Sequence, residues 1–362
     1  MAIEFAERIR RIPVYPAADG YALDGEVALL ASNEAPFAPL PEVLSAAHRA
    51  LASAHRYPDP ANGALRAALA ERYGVPAARI AIGNGSCDVL LAAGEALLEP
   101  GAEVVYGWPS FSVYPHLAAT TGARAIEVRL DPDERYDLDA MAAEVTAATR
   151  LVVVCNPNNP TSTARPLEDV ARFVAAIPRH VCVIVDEAYC EFSTLDDPDA
   201  SIDLLARHPN LALLRTFSKV HGLAGLRVGF ALCGSEELRV AVDQVRQPFF
   251  CNVAAQAAAC EALRHSDEVA SRVERTIAAR LELEDGLREL GVPSADSQAN
   301  FVWLTLPAEA EEAEVVAELG RRRVLVRAGR ALGREGALRV TVGRPAENER
   351  FLRELGALLA SV

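Results

Sequence analysis

RTFSKVHGLAGLRVGF, residues 215–230, continues the apolar run LALL at 211–214 and leads into a second apolar segment that reaches residue 233. Between the two lies a bend with three glycines, one lysine (Lys219) and, eight residues further on, Arg227. An apolar run that stops at a polar, glycine-bearing turn is how a buried strand of an open α/β sheet ends, and ligands of such sheets gather at those ends.

Working outward, the same design repeats. Strands are predicted over 102–107, 123–130, 151–155, 181–186, 211–216 and 226–233, with helical segments near 137–147, 166–176 and 235–246 between several of them. Leu65, Leu69 and Tyr73 recur at a spacing of four, with Asn62 placed to cap that helix and Gly74 to stop it. Another helix is expected from Ser86, with Leu90, Leu91, Leu97 and Leu98 on its apolar face. The fold class is therefore α/β, a mostly parallel sheet covered by helices. Past residue 250 the pattern changes. Val269, Val273, Ile277 and Leu281 step by four through a long charged helix; NFVWLTL and LRVTVG read as short strands, and ENERFLRELGALL as a closing helix. The expected organisation is an N-terminal arm over 1–35, a large domain over 36–247 and a smaller α+β C-terminal domain over 248–362, with the arm packed on the small one.

The bulk numbers narrow the function. The chain has 362 residues, 51% hydrophobic and 24% charged, which suits a globular enzyme. Asp and Glu number 50 against 36 Lys and Arg, a formal charge of −14, which argues against nucleic acid or an anionic membrane as partner. No apolar run has the length of a membrane span, and MAIEFAERIRRIPVYP lacks the apolar core of a secretory signal. Seven cysteines without a CxxC pair predict a reducing compartment, the cytoplasm. The seven histidines form neither HxH nor HExxH; His48 and His55 suit a solvated helix face, and no metal is expected.

Four polar clusters stand where apolar runs stop: GNGSCD (83–88), NPNNPTS (156–162), DEAY (186–189) and FSK (217–219). Asp186 directly follows a β-branched run, where an unpaired carboxylate is costly, so it needs a cation. That cation is either a neighbouring arginine or a ligand's protonated ring nitrogen. Lys219 reaches solvent in the plain reading; partly buried, its pKa falls and the amine becomes a nucleophile toward carbonyls. Ser218 and Arg227 suit a phosphate, and the backbone N–H groups of Ser86 and Cys87 at a helix start add a second anion site. A carbonyl-reactive lysine, a carboxylate for a ring cation and a phosphate cradle together meet the needs of pyridoxal 5′-phosphate.

With these residues in view, the chain resembles the fold-type-I pyridoxal-phosphate aminotransferases, within them the histidinol-phosphate aminotransferase group. The segments that carry the likeness come in family order: LASNEAPFAPLPEV, RYPDP, GNGSCDVL, WPSFSVY, CNPNNPTS, VDEAYCEF, TFSKVHGLAGLRVGF and LRVTVG. The resemblance implies an aspartate-aminotransferase-like large domain. It also implies that Lys219 binds the cofactor aldehyde and shuttles a proton, that Asp186 pairs with the ring nitrogen, and that Tyr189 and Asn159 hydrogen-bond the ring oxygen. Phe111 would stack on the ring, and Ser86, Cys87, Ser218 and Arg227 would hold the phosphate. Tyr57 would reach the phosphate in a neighbouring subunit, which implies a homodimer with shared sites. Arg339, Asn33 and, as a second guanidinium, Arg327 would bind substrate.

Four positions depart from the family pattern: NEAP for NENP, Ser162 for glycine, Phe111 for a frequent tyrosine, and Arg344 where a small residue is frequent. The changes at 111 and 344 bear on the amino donor, because relatives acting on aromatic amino acids share them. Histidinol phosphate with 2-oxoglutarate is the first expectation, yielding imidazole acetol phosphate and glutamate in histidine biosynthesis. An aromatic amino acid comes second, and a threonine-phosphate-type decarboxylase is the alternative of another class. A transcription regulator with an aminotransferase-like domain is set aside, because the motifs begin near residue 30 and the charge is acidic.

Overall fold

The computed structural model describes residues 3–5, 7–12 and 26–360, so part of the expected arm over 1–35 lies outside them. Strand β1 (Ala28–Leu29) is followed by helices α1 (Pro41–Leu51) and α2 (Gly63–Tyr73). Then come β2 (Ile80–Gly83), α3 (Ser86–Leu97), β3 (Glu103–Trp108), α4 (Val113–Thr121), β4 (Arg124–Arg129) and α5 (Leu138–Ala143). Next are β5 (Thr149–Cys155), α6 (Leu167–Ala176), β6 (Cys182–Asp186), β7 (Leu211–Thr216), β8 (Gly229–Cys233), α7 (Glu236–Gln244) and α8 (Val253–Ala262). The chain closes with α9 (Ser266–Glu289), β9 (Phe301–Thr305), α10 (Glu312–Arg321), β10 (Val324–Leu325), β11 (Arg327–Ala328), β12 (Ala337–Thr341) and α11 (Pro345–Leu359).

Strands β2 to β8 form one seven-stranded sheet in the order β2-β8-β7-β6-β5-β3-β4. Only β8 runs against its neighbours β2 and β7. The predicted α/β sheet is therefore present, and its strand ends converge as expected. The strands β5, β6 and β7 are almost wholly buried, since helices cover both faces, and their Val, Leu and Ile runs lack the alternation of a one-sided sheet. A second, antiparallel sheet, β11-β12-β9, belongs to the C-terminal part.

The periodicity missed some elements. The short apolar stretch before GNGSCD, which is not among the predicted strands, supplies the edge strand β2. Strand β8 begins at Gly229 rather than 226, because Ala224–Leu226 form a single 3₁₀ turn and Arg227 sits at φ 60°, which breaks extension. Asn62 does precede α2, but its side chain makes no cap; the Asp59 carboxylate accepts the Gly63 N–H at 2.7 Å instead.

The largest revision concerns α9. The expected face of Val269, Val273, Ile277 and Leu281 is only partly covered, and Leu281 is 52% exposed. The buried residues are Arg272, Thr276, Arg280, Leu283 and Leu287. Arg280 donates from Nη1 to the carbonyls of Phe192 and Ala299, each at 3.0 Å, and Arg272 donates to Ala38 O at 2.6 Å. A guanidinium can be buried where fixed carbonyls satisfy it, so α9 joins the two parts of the molecule through polar side chains that an apolar count overlooks.

Two main apolar cores result. One gathers residues between Val43 and Ala262, the other gathers Ala28 and Leu30 with residues from Leu283 to Leu358. Helix α8 packs into the first core, so the expected boundary at 247–248 falls inside that core's span. Strand β1 pairs in parallel with β10.

Candidate active site

At the carboxyl ends of β5, β6 and β7 lies a cavity of about 390 Å³. Its walls include Asn33, Ser86, Cys87, Phe111, Asn159, Asp186, Tyr189, Ser218, Lys219, Arg227, Arg327 and Arg339. Thus residues drawn from distant segments meet in one pocket, as the strand-end reading expects. Tyr57 does not. It is 80% exposed and stacks on Phe249 with ring centroids 4.5 Å apart, away from its own chain's cavity.

Asp186 is the last residue of β6 and is 4% exposed. Its Oδ2 accepts from the Tyr114 hydroxyl at 3.0 Å and its Oδ1 from the Ala188 N–H at 3.2 Å. Among the described residues no ion pair involves it. Burial, only partly offset by those two donors, pushes its pKa up to about 6. A neighbouring arginine, Arg215, is 2% exposed and pairs with Glu187 instead, at 2.9 Å.

Lys219 follows β7 and is half-buried, with its ammonium inside the cavity. Nζ donates to the Asn33 carbonyl at 3.0 Å and to the Ser32 carbonyl at 3.4 Å. Burial, and then the Arg339 guanidinium, lowers its pKa to about 7. Asn33 adopts φ 53°; its N–H donates to Thr341 Oγ1 at 2.9 Å and its side chain donates to the Tyr189 hydroxyl at 3.1 Å. Burial raises the Tyr189 pKa to about 12, so the phenol stays protonated at neutral pH.

Arg339 lies on β12, whose pairing with β9 places it opposite Trp303. It donates to Asn159 Oδ1 and to the Ala31 carbonyl, two contacts that orient its guanidinium at the cavity. Because Asn159 Oδ1 is engaged, its amide NH₂ is the group left to donate.

The same cavity is lined by the start of α3, Ser86 and Cys87 after Gly85, and among the described residues no side chain caps its first N–H groups. Those groups and the positive end of the helix dipole suit an anion. Arg227 lies against Gly85 so closely that a Cβ there would stand 2.5 Å from Nη2. Among the described residues Arg227 donates to the carbonyls of Ala224 at 2.9 Å and Asn84 at 3.3 Å. Burial pushes the Cys87 thiol up to about 11, so it remains neutral.

A buried carboxylate with no ion pair among the described residues, an amine near neutrality and a glycine-bordered cationic cradle are the groups that pyridoxal phosphate requires, and they face one cavity. The residues fit the group. Sequence reasoning missed Tyr114, Thr216 and Glu34, of which the last two also line the cavity. Tyr114 carries no distinguishing spacing, since it belongs to an ordinary helical turn.

The fold and cavity define a fold-type-I pyridoxal-phosphate enzyme. Residues 25–355 match the family described as Aminotransferase class I and II, and the chain belongs to that family, whose cofactor is pyridoxal 5′-phosphate. An aromatic amino acid aminotransferase of Streptomyces coelicolor is 43% identical over 350 residues, covering 94% of each chain. The Pseudomonas aeruginosa protein named histidinol-phosphate aminotransferase 2 is 41% identical, over 98% of this chain and 93% of its own. Among solved structures, the histidinol-phosphate aminotransferase of Sinorhizobium meliloti in complex with pyridoxal-5′-phosphate has a TM-score of 0.89 at 29% identity, covering 100% of this chain and 99% of that one.

Proposed function

We propose that this aminotransferase takes its amino group from an aromatic amino acid and delivers it to 2-oxoglutarate. The observation that carries the amino-transfer chemistry is Lys219, an amine with a pKa lowered to about 7 in the same cavity as Asp186, which has no ion pair among the described residues. An amine poised there serves as a proton acceptor and donor near neutral pH. Bound pyridoxal phosphate supplies an aldehyde for the donor's amine and a ring that accepts an electron pair. Asp186 would keep the ring nitrogen protonated, while Tyr189 and the Asn159 amide would hydrogen-bond the ring oxygen. Phe111 would lie on the ring, and Ser86, Cys87, Ser218 and Arg227 would hold the phosphate. Lys219 Nζ would take the proton from the donor's Cα and return it to the cofactor carbon. Arg339, with Asn33, would bind the α-carboxylate of donor and acceptor alike.

The order of donors differs from the first expectation. Support for the aromatic reading comes from Phe111 and from the names of the first several similar proteins, all aromatic amino acid aminotransferases at 40–44% identity. A second reading, histidinol phosphate, is favoured by Arg327 beside Arg339 on the neighbouring strand, because paired guanidinium groups suit a phosphate dianion. A homodimer in which Tyr57 reaches the partner's phosphate cradle belongs to the same proposal, and the exposed Tyr57–Phe249 stack gives that contact an apolar platform. Seven free thiols agree with a reducing cytoplasm.

A donor panel with 2-oxoglutarate tests the reading. Phenylalanine and tyrosine are expected to give the higher kcat/KM; a clear preference for histidinol phosphate selects the second reading. Carbon dioxide release without any keto acid would replace both with decarboxylation. Arg327→Ala should weaken histidinol phosphate turnover about tenfold and leave phenylalanine nearly unaffected, a difference on the order of one charge-assisted hydrogen bond.

A further inference from the structure

We infer that Tyr114 is a positioning residue, whose phenol fixes the plane and the ionised state of the Asp186 carboxylate toward the cofactor's ring nitrogen. This deepens the proposed pyridoxal-phosphate chemistry and rests on it.

Tyr114 is fully buried, at 0% exposure, on α4. Its hydroxyl donates to Asp186 Oδ2 at 3.0 Å, while the Ala188 N–H donates to Oδ1 at 3.2 Å. Each carboxylate oxygen therefore has one fixed donor and keeps further accepting capacity for a ring N–H. The phenol cannot rotate away. Its ring stands edge-on to Phe111 at 5.8 Å and 90°, and tilted against Tyr106 at 5.9 Å. Tyr114 N–H also donates to Phe111 O at 3.0 Å. One short turn thus presents Phe111 to the cavity and Tyr114 to the carboxylate, linking the ring-stacking position with the charge beneath it.

The other groups facing Asp186 do not replace this donor. Glu187 and Lys219 act on it through their charges, the first raising and the second lowering its pKa. Cys155, Tyr136, Tyr189 and Cys87 lie within electrostatic range, and burial raises the pKa of each, so all four are neutral at working pH. Burial likewise holds the Tyr114 phenol well above its ordinary value. It is a proton donor throughout the range in which the enzyme works. A phenylalanine would fill the same space, so the hydroxyl is the one part of this side chain that packing does not require.

The test is Tyr114→Phe, studied with and without cofactor. Equilibrium dialysis of cofactor-free protein against pyridoxal phosphate near pH 7 is expected to show binding about tenfold weaker, the scale of one hydrogen bond to a charged group. The acidic limit of that binding should move to higher pH, because a lost donor favours the protonated acid. In the holoenzyme kcat should fall while the donor's KM stays near wild type. Tyr136→Phe is the control: that phenol pairs with Ser110 Oγ at 2.7 Å rather than with Asp186, and its loss should leave affinity and acidic limit unchanged. In an Asp186→Asn background, Tyr114→Phe should cause no further loss. Wild-type affinity and pH limit in Tyr114→Phe would overturn the inference alone. So would an equal shift in Tyr136→Phe, or an undiminished loss in the Asp186→Asn background. Wild-type protein that neither binds pyridoxal phosphate nor transfers an amino group would instead bring down the functional reading, and this one with it.

Discussion

Asp186 and Glu187 are adjacent, both carboxylates and both buried, and the molecule treats them in opposite ways. Successive side chains at a strand end leave on opposite faces of the sheet. Glu187 meets Arg215 at 2.9 Å, and Arg215 is further held by Asp199 at 2.6 Å. Asp186 faces the cavity, where it has two neutral donors and no ion pair among the described residues. The first carboxylate is answered by the fold. The second has no ion pair among the described residues, burial raises its pKa to about 6, and under the proposed function a ligand cation would answer it. A buried charge with a protein partner is architecture, while one without a partner marks chemistry.

Four experiments would break or sharpen that contrast. Lys219→Ala removes the cavity's amine and should reduce amino transfer by about 10⁴-fold, at the upper end of proton-transfer catalysis. Borohydride should then no longer fix pyridoxal phosphate to the chain; retained turnover would sink the assignment. Asp186→Asn should cost roughly 10²- to 10³-fold in kcat, the scale of losing a fixed charge opposite a developing one. Its cofactor-free form should melt no lower than wild type near neutral pH, since an unpaired buried charge has been removed.

Glu187→Gln should do the reverse. It strips Arg215 of its most buried partner and should destabilise the protein by about 3 kcal/mol in denaturant unfolding, with kcat little changed. If Asp186→Asn proved the destabilising change and Glu187→Gln the inactivating one, the contrast would be inverted.

The smallest effect is on pH dependence. The Asp186 pKa is raised from 3.8 to about 6, so between those values the folded state holds the extra proton and stability falls as pH rises. The Lys219 pKa is lowered from 10.5 to about 7, so across that window the unfolded state holds more protons and stability rises with pH. Thermal melts of cofactor-free protein should show both slopes. Asp186→Asn should flatten the acidic one and Lys219→Ala the alkaline one.

Much of this contrast was already legible in the chain. Asp186 was marked by standing directly behind the apolar run VCVIV and Lys219 by the polar turn FSK that ends the strand begun by LALL, and both line the cavity. What remained open was whether a neighbouring arginine or a ligand's ring nitrogen would answer Asp186. The face of α9 was misjudged for a related reason. Its apolar face was read from Val269 and Val273, whereas the buried positions include Arg272 and Arg280, which donate to the carbonyls of Ala38, Phe192 and Ala299.

The sequence by itself determined the sheet, the strand ends and the set of groups offered there, because burial on both faces requires unbroken apolar runs and makes each flanking charge conspicuous. Only the tertiary structure decided the pairings: Glu187 with Arg215, Asp186 with Tyr114, and Asn159 with Arg339 across 180 residues of chain. Periodicity is a local property of a segment. A hydrogen bond or ion pair depends on distances of a few ångströms between segments far apart in sequence, and those distances are set when the layers pack.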